Sequence, residues 1–203
     1  MKNSLRLLSG VSNKKIDKAY NLLKRQWPRI IPQLEHGFLT KDEVQKILDL
    51  SELRVIREAT AGEKTRDERS TDICWIDPGQ ESDWIFSKLD SLGQKMNEIY
   101  KLDLLGFFES LQVGTYGEGQ KFDWHADNDG YPLRKLTISI QLSNDTDYEG
   151  GNLEFMDGPH VRAAPREKDA AVIFPSQMMH RVTPITGGIR QSLVVWLSGP
   201  PLK

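Results

Sequence analysis

The chain has 203 residues, 38% of them hydrophobic, with 27 Lys and Arg against 29 Asp and Glu. That balance suits a single soluble globular domain and excludes a disordered chain, a fibre or a uniformly basic nucleic-acid binder. One cysteine, Cys74, excludes an internal disulfide and a thiolate zinc site, and points to a reducing, cytoplasmic setting.

The small net charge is a cancellation. Residues 1–30 hold eight basic residues and one acid, Asp17, and the remainder carries the acidic excess. In this leader Ser12 or Asn13 suits the cap of a helix whose Ile16, Tyr20, Leu23 and Trp27 share one face, closed by Pro28 and Pro32. The stripe predicts a docked helix with lysines outside; a basic arm for nucleic acid or another acidic partner is the other reading. The apolar run 5–8 is too short for the core of an export signal, and no segment has the length of a membrane span, so no membrane partner is expected. Thr40-Lys41-Asp42-Glu43 reads as a capping box, with Val44, Ile47 and Leu48 following at helical spacing. The charged, glycine-containing stretch 57–72 reads as an exposed, mobile loop. A helix is predicted from about Ser82 to Tyr100, with Ile85, Leu89, Leu92, Met96 and Ile99 along one side.

From about Gly106 the period changes to two. Leu136, Ile138, Ile140 and Leu142 alternate with Thr137, Ser139 and Gln141, and further strands are predicted over 110–116, 152–156, 170–175, 180–184 and 190–197. Helices followed by many short strands predict an α+β chain whose sheet part is a sandwich or jelly roll.

His125-Ala126-Asp127 places an imidazole and a carboxylate two residues apart, on one face if the segment is an extended strand. His180 opens a later strand directly after an apolar run. Together they offer two imidazole nitrogens and one carboxylate, the ligand set that occupies one face of an octahedron in non-haem Fe(II) oxygenases. A zinc hydrolase uses similar ligands, so the triad alone leaves the metal open. Ten residues after His180, Arg190 and Ser192 share a strand face. A guanidinium and a hydroxyl so placed suit the far carboxylate of a dicarboxylic co-substrate whose 2-oxo-acid end chelates the metal. No acid between 189 and 197 is available to pair with Arg190 instead.

These residues sit in longer motifs. They run from Leu111 through Tyr116-Gly117-Glu118-Gly119 to Trp124-His125-Ala126-Asp127, and from Arg134 to Asn144. Tyr148-Glu149-Gly150-Gly151-Asn152-Leu153 and 174–196 complete the set. With them the chain resembles the Fe(II)- and 2-oxoglutarate-dependent oxygenases of the prolyl 4-hydroxylase-like family. The resemblance implies a double-stranded β-helix (jelly-roll, cupin-like) core at about 106–198 with flanking N-terminal helices. It places the oxygenase domain at 31–203, with 1–30 as a basic helical extension. It implies His125, Asp127 and His180 as metal ligands, and Arg190 with Ser192 on the distal carboxylate of 2-oxoglutarate. Tyr116, Leu153, Val182 and Trp196 then line the same pocket. Fe(II), 2-oxoglutarate and O2 follow as requirements, with ascorbate as reductant. The implied reaction hydroxylates an aliphatic C–H, first of all in a prolyl residue of a peptide or protein, releasing succinate and CO2. The alternatives are a free amino acid or other small metabolite as substrate, nucleic acid through residues 1–30, or a non-catalytic metal-binding jelly-roll module. Collagen-type members carry Lys where Arg190 stands, and a second pocket tyrosine of some relatives is Gln141 here.

The segments 57–72 and 124–131 are expected at the mouth of the site, where Arg66, Asp67, Glu68, Arg69 and Asp72 suit polar contacts or plain solvation. Trp75 and Trp124 are read as packing groups, Cys74 as a small buried hydrophobe, and His36 and His160 receive no role.

Overall fold

The computed structural model describes residues 31–52, 57–58, 68–128 and 133–201. The helix predicted within 1–30 and most of the loop predicted over 57–72 lie outside them. In chain order the elements are β1 (Gln33–Glu35), α1 (Lys41–Glu52), β2 (Arg57–Glu58), β3 (Arg69–Ser70), β4 (Asp72–Ile76) and α2 (Asp83–Tyr100). Then come β5 (Gly106–Phe107), β6 (Leu111–Tyr116), β7 (Lys121–His125), β8 (Leu133–Gln141), β9 (Tyr148–Gly150) and β10 (Leu153–Asp157). The last are β11 (His160–Ala163), β12 (Ala171–Pro175), β13 (His180–Val182), β14 (Ile185–Gly188) and β15 (Arg190–Gly199).

The strands form a major sheet in the order β1-β12-β8-β15-β6-β4-β2, with β5 also on β15. A minor sheet runs β11-β10-β13-β7-β3, and β14 pairs with β9. Every pairing is antiparallel and the strand order is far from the chain order, giving an α+β double-stranded β-helix.

Strand parity divides the major sheet. Leu136, Ile138 and Ile140 of β8, Leu193, Val195 and Leu197 of β15, Leu111 and Val113 of β6, and Ala171 and Ile173 of β12 all join one cluster. The helices complete it with Val44 and Ile47 of α1 and Ile85, Leu89, Leu92 and Met96 of α2. The opposite parity is also buried but largely polar: Thr137, Ser139 and Gln141 on β8, and Arg190, Ser192 and Ser198 on β15. A buried face carrying hydroxyls, an amide and a guanidinium costs stability unless those groups meet partners, so this face marks the site.

The capping box forms: Thr40 N–H donates to Glu43 Oε2 at 2.7 Å, and Glu43 N–H to Thr40 Oγ1 at 3.2 Å. Ser82 precedes α2 without capping it; its hydroxyl donates instead to the carbonyls of Asp77 and Gly79.

Two expectations need correction. The 57–72 segment is not simply an exposed loop, because β3 and β4 occupy its end and Arg69 and Thr71 are buried; pairing with β7 and β6 supplies the burial that the charged sequence conceals. The strand carrying His125 stops at that residue, so Asp127 does not share a strand face with it. Asp127 is placed instead by its N–H donating to Ser176 O at 2.7 Å.

Candidate active site

His125 ends β7 and His180 begins β13, and the two are register partners across the minor sheet. Asp127 closes the triad from just beyond β7. All three are buried, and one ligand atom from each lies within 4.8 Å of the others. Residues 55 apart in sequence thus meet through a single strand pairing.

The orientation of each ring is held from behind. His125 Nδ1 lies 2.7 Å from Asp123 O, and His180 Nδ1 lies 2.9 Å from Met178 O. A carbonyl oxygen only accepts, so both Nδ1 atoms donate and each ring turns its Nε2 inward, where the neutral form offers a lone pair. Phe122 stacks on His125 at 3.5 Å between centroids, and Phe174 meets His180 edge-on at 4.8 Å. Asp127 Oδ2 accepts from Thr137 Oγ1 at 2.9 Å, and the Thr137 and Ser176 hydroxyls are hydrogen-bonded to each other. Burial works to raise the Asp127 carboxyl, but His180 and His125 beside it, with the Thr137 hydroxyl, hold it below the usual carboxylate range.

The inward Nε2 atoms stand 3.5 and 3.6 Å from the Asp127 oxygens, too far for good hydrogen bonds. Two lone pairs and an anion facing one another in a buried space are mutually unfavourable unless a cation sits among them. An N, N, O donor set without thiolate fits Fe(II) and other borderline first-row ions.

Across from the triad, the inward parity of the major sheet brings the other predicted residues together. Arg190 pairs in register with Tyr116, and Ser192 with Gly114 on one side and Gln141 on the other. Arg190 is 1% exposed; its Nη1 donates to Ser192 Oγ at 3.2 Å, its Nε has no partner, and it has no acidic partner among the described residues. An unpaired guanidinium this deep is costly, which fits a pocket made for an incoming carboxylate. The Gln141 Oε1 atom is likewise buried without a partner. Tyr116 lies under the guanidinium with its centroid at 5.5 Å. Leu153 and Val182 are register partners, and they, Tyr116 and Trp196 are buried.

Trp75 lies against Trp196 at 6.3 Å, and Arg181 covers the Trp124 ring at 4.6 Å, so both tryptophans pack within the protein. Cys74 is buried in the helix-side core. His36 meets Glu167 on the surface at 2.6 Å. Sequence reasoning missed Thr137 and Ser176, which support Asp127, and the burial of Arg69 beside the triad. Thr137 had a signal, since it sits on the polar parity of a strand whose other parity is Leu and Ile from 136 to 140.

Residues 111–198 match the 2OG-Fe(II) oxygenase superfamily. That match covers 88 of the 203 residues. Over 99 residues the chain is 34% identical to a PKHD-type hydroxylase of Shewanella oneidensis, covering 46% of this chain and 44% of that protein. A PKHD-type hydroxylase of Synechococcus sp. strain CC9605 is 30% identical over 129 residues, covering 60% of this chain and 57% of that protein. The chain therefore spans about half the length of the curated relatives it matches. In fold it is similar to a Pseudomonas putida prolyl-4-hydroxylase, with a TM-score of 0.70 and 22% identity over 84% of this chain and 93% of that one. A prolyl hydroxylase of Trichoplax adhaerens, solved with a hypoxia inducible factor peptide fragment, gives a TM-score of 0.71 and 20% identity over 93% and 94%.

Proposed function

We propose that the protein is an Fe(II)- and 2-oxoglutarate-dependent dioxygenase that hydroxylates an aliphatic C–H, in the first place in a prolyl residue of a peptide or protein. The observations that carry this reading are the buried His125–Asp127–His180 triad and the buried guanidinium of Arg190, which has no acidic partner among the described residues, joined by the polar parity of the major sheet on which Thr137 holds Asp127. The names of the PKHD-type relatives and the prolyl hydroxylase fold support the choice of substrate.

In this reading His125, Asp127 and His180 hold the metal, with Thr137 and the carbonyls of Asp123 and Met178 keeping their donor atoms turned inward. Arg190 and Ser192 donate to the distal carboxylate of 2-oxoglutarate and set its orientation. Leu153, Val182 and Trp196 keep water from the pocket, and so strengthen those hydrogen bonds. The bound iron with 2-oxoglutarate and O2 supplies the oxidising power: one oxygen atom enters the substrate C–H bond and the other enters succinate, with loss of CO2. Ascorbate is the reductant expected to restore iron oxidised without substrate. The domain assignment follows: 31–203 as the oxygenase unit and 1–30 as a basic extension.

A free amino acid or other small metabolite is the second reading, favoured by the unfilled edge of Arg69 beside the triad. A proline-containing peptide, free proline and an oligonucleotide, each incubated with protein, Fe(II), 2-oxoglutarate, ascorbate and O2, separate the substrate classes. The expected result is one added oxygen atom on the peptide by mass spectrometry, with stoichiometric succinate. Oxygen addition to the oligonucleotide alone, or product formed equally without 2-oxoglutarate, overturns the reading.

A further inference from the structure

A second buried arginine stands at the triad. Arg69 of β3 is 6% exposed and pairs in register with Phe122, the residue stacked on His125. Its guanidinium carbon lies 4.4 Å from the Phe122 ring centroid, so the charge sits one ring away from a metal ligand. The Asp127 carboxylate and a hydrogen bond with the Tyr116 side chain favour its charged form, while Arg134 opposes it. Burial nevertheless pulls its pKa below the ordinary arginine value.

Two of its nitrogens, Nε and Nη2, are buried with no hydrogen-bond partner. These form one edge of the guanidinium, the edge that matches the two oxygens of a carboxylate. Among the described residues Arg134 uses it in that way, and Arg181 directs the same edge at a single carboxylate oxygen. Arg134 donates to Glu109 from Nε at 2.7 Å and from Nη2 at 2.5 Å. Arg181 meets Glu154 Oε2 through Nε and Nη2, each at 2.8 Å. Arg134 and Arg181 lie near the surface and have carboxylates of the chain itself; Arg69 is deeper and has none among the described residues. Asp127, the nearby acid, is turned toward the two histidines and Thr137.

Building on the oxygenase reading above, we infer that the open Nε–Nη2 edge of Arg69 receives a carboxylate of the substrate, distinct from the 2-oxoglutarate carboxylate facing Arg190. Arg69 is then a specificity-determining residue. It selects a substrate whose carboxylate lies close to the carbon that reacts, and three sources share that chemistry. They are a free amino acid, a prolyl residue at a peptide C-terminus, and an acidic side chain next to the target. A neutral amide in the same place offers a single acceptor oxygen and no negative charge to the buried guanidinium, which is the basis of discrimination.

The test uses the full-length protein loaded with Fe(II) and 2-oxoglutarate in the absence of O2, with binding read by calorimetry. Probes are paired so that only a carboxylate differs: L-proline with L-prolinamide, glycyl-proline with its amide, and acetyl-Pro-Asp-amide with acetyl-Pro-Asn-amide. At least one carboxylate probe should bind about tenfold or more tightly than its neutral twin. The pair that does so names the source. Arg69→Gln should remove that preference, and Arg69→Lys, which keeps the charge without the fork, should restore only part of it. Thermal unfolding of both variants checks that they are folded. The inference is overturned if no pair shows a preference, if the preference survives in Arg69→Gln, or if that variant loses 2-oxoglutarate binding to the same degree. Failure of the oxygenase reading has a separate signature: the wild-type protein with Fe(II) then shows no binding of 2-oxoglutarate at all.

Discussion

Each triad residue does its work because another atom holds it in place. The imidazoles present Nε2 because a backbone carbonyl takes the Nδ1 proton, and Asp127 stays ionised although it is buried. Asp127→Ala is expected to abolish stoichiometric iron binding, read by metal analysis, together with succinate formation; full turnover in that variant would refute the ligand set. Arg190→Ala should act differently. It removes two charge-assisted hydrogen bonds to a dicarboxylate, so the 2-oxoglutarate requirement should rise about tenfold or more while iron stays bound. An unchanged 2-oxoglutarate dependence counts against its role. At this scale the ligand identities were legible, because His-x-Asp and Arg-x-Ser are local spacings. The burial of Arg69 was not, since four charged residues in a row read as solvated until β3 is seen pairing with β7.

At the level of elements, α1 was legible to its first residue because a capping box is a contact between residues three apart. Glu43 also reaches Lys88 of α2 at 2.7 Å, which no local pattern announces. Burial works to raise the Glu43 carboxyl, but the hydrogen bonds from Lys88 and Thr40 outweigh it and hold its pKa low. A folded pKa below the unfolded one means that this contribution is present above the ordinary glutamate value of about 4.3 and fades as pH falls through the folded value. Glu43→Gln should therefore cost about 1 kcal/mol in urea unfolding at neutral pH, and the gap to wild type should close in acid. A gap independent of pH would contradict this account. Between β9 and β10, Gly151 has φ +61°, and a Cβ there would collide with Ile185 and press on Arg190 Cδ and Tyr148. Gly151→Ala is expected to weaken 2-oxoglutarate binding as well as stability, because the displaced side chain is the one proposed to hold the co-substrate. Loss of stability with unaltered binding would show that the strain is absorbed away from Arg190.

At the scale of the whole molecule, the two helices among the described residues cover one face of the major sheet and leave the polar face to the proposed site. The helix-side cluster draws all its residues from 39–197, and residues 32–203 form one compact unit. Removing residues 1–30 should accordingly leave a protein that unfolds cooperatively and binds 2-oxoglutarate as the full chain does. Loss of soluble protein would show that the leader completes the core. Among the described residues no helix is long and apolar enough to cross a membrane.

What the sequence determined by itself was the donor chemistry and the parity of the strands, since both are written in neighbours two to four residues apart. Alternation of Leu and Ile with Thr, Ser and Gln already separated a packing face from a polar one along β8. Only the tertiary structure decided which polar groups end up facing one another. Asp127 reaches the two histidines through Ser176 and Thr137 rather than through a strand of its own, and Arg69 is buried because β3 lies against β7. Those contacts join residues dozens of positions apart. They are set by register across antiparallel pairs, a relation that no local spacing encodes.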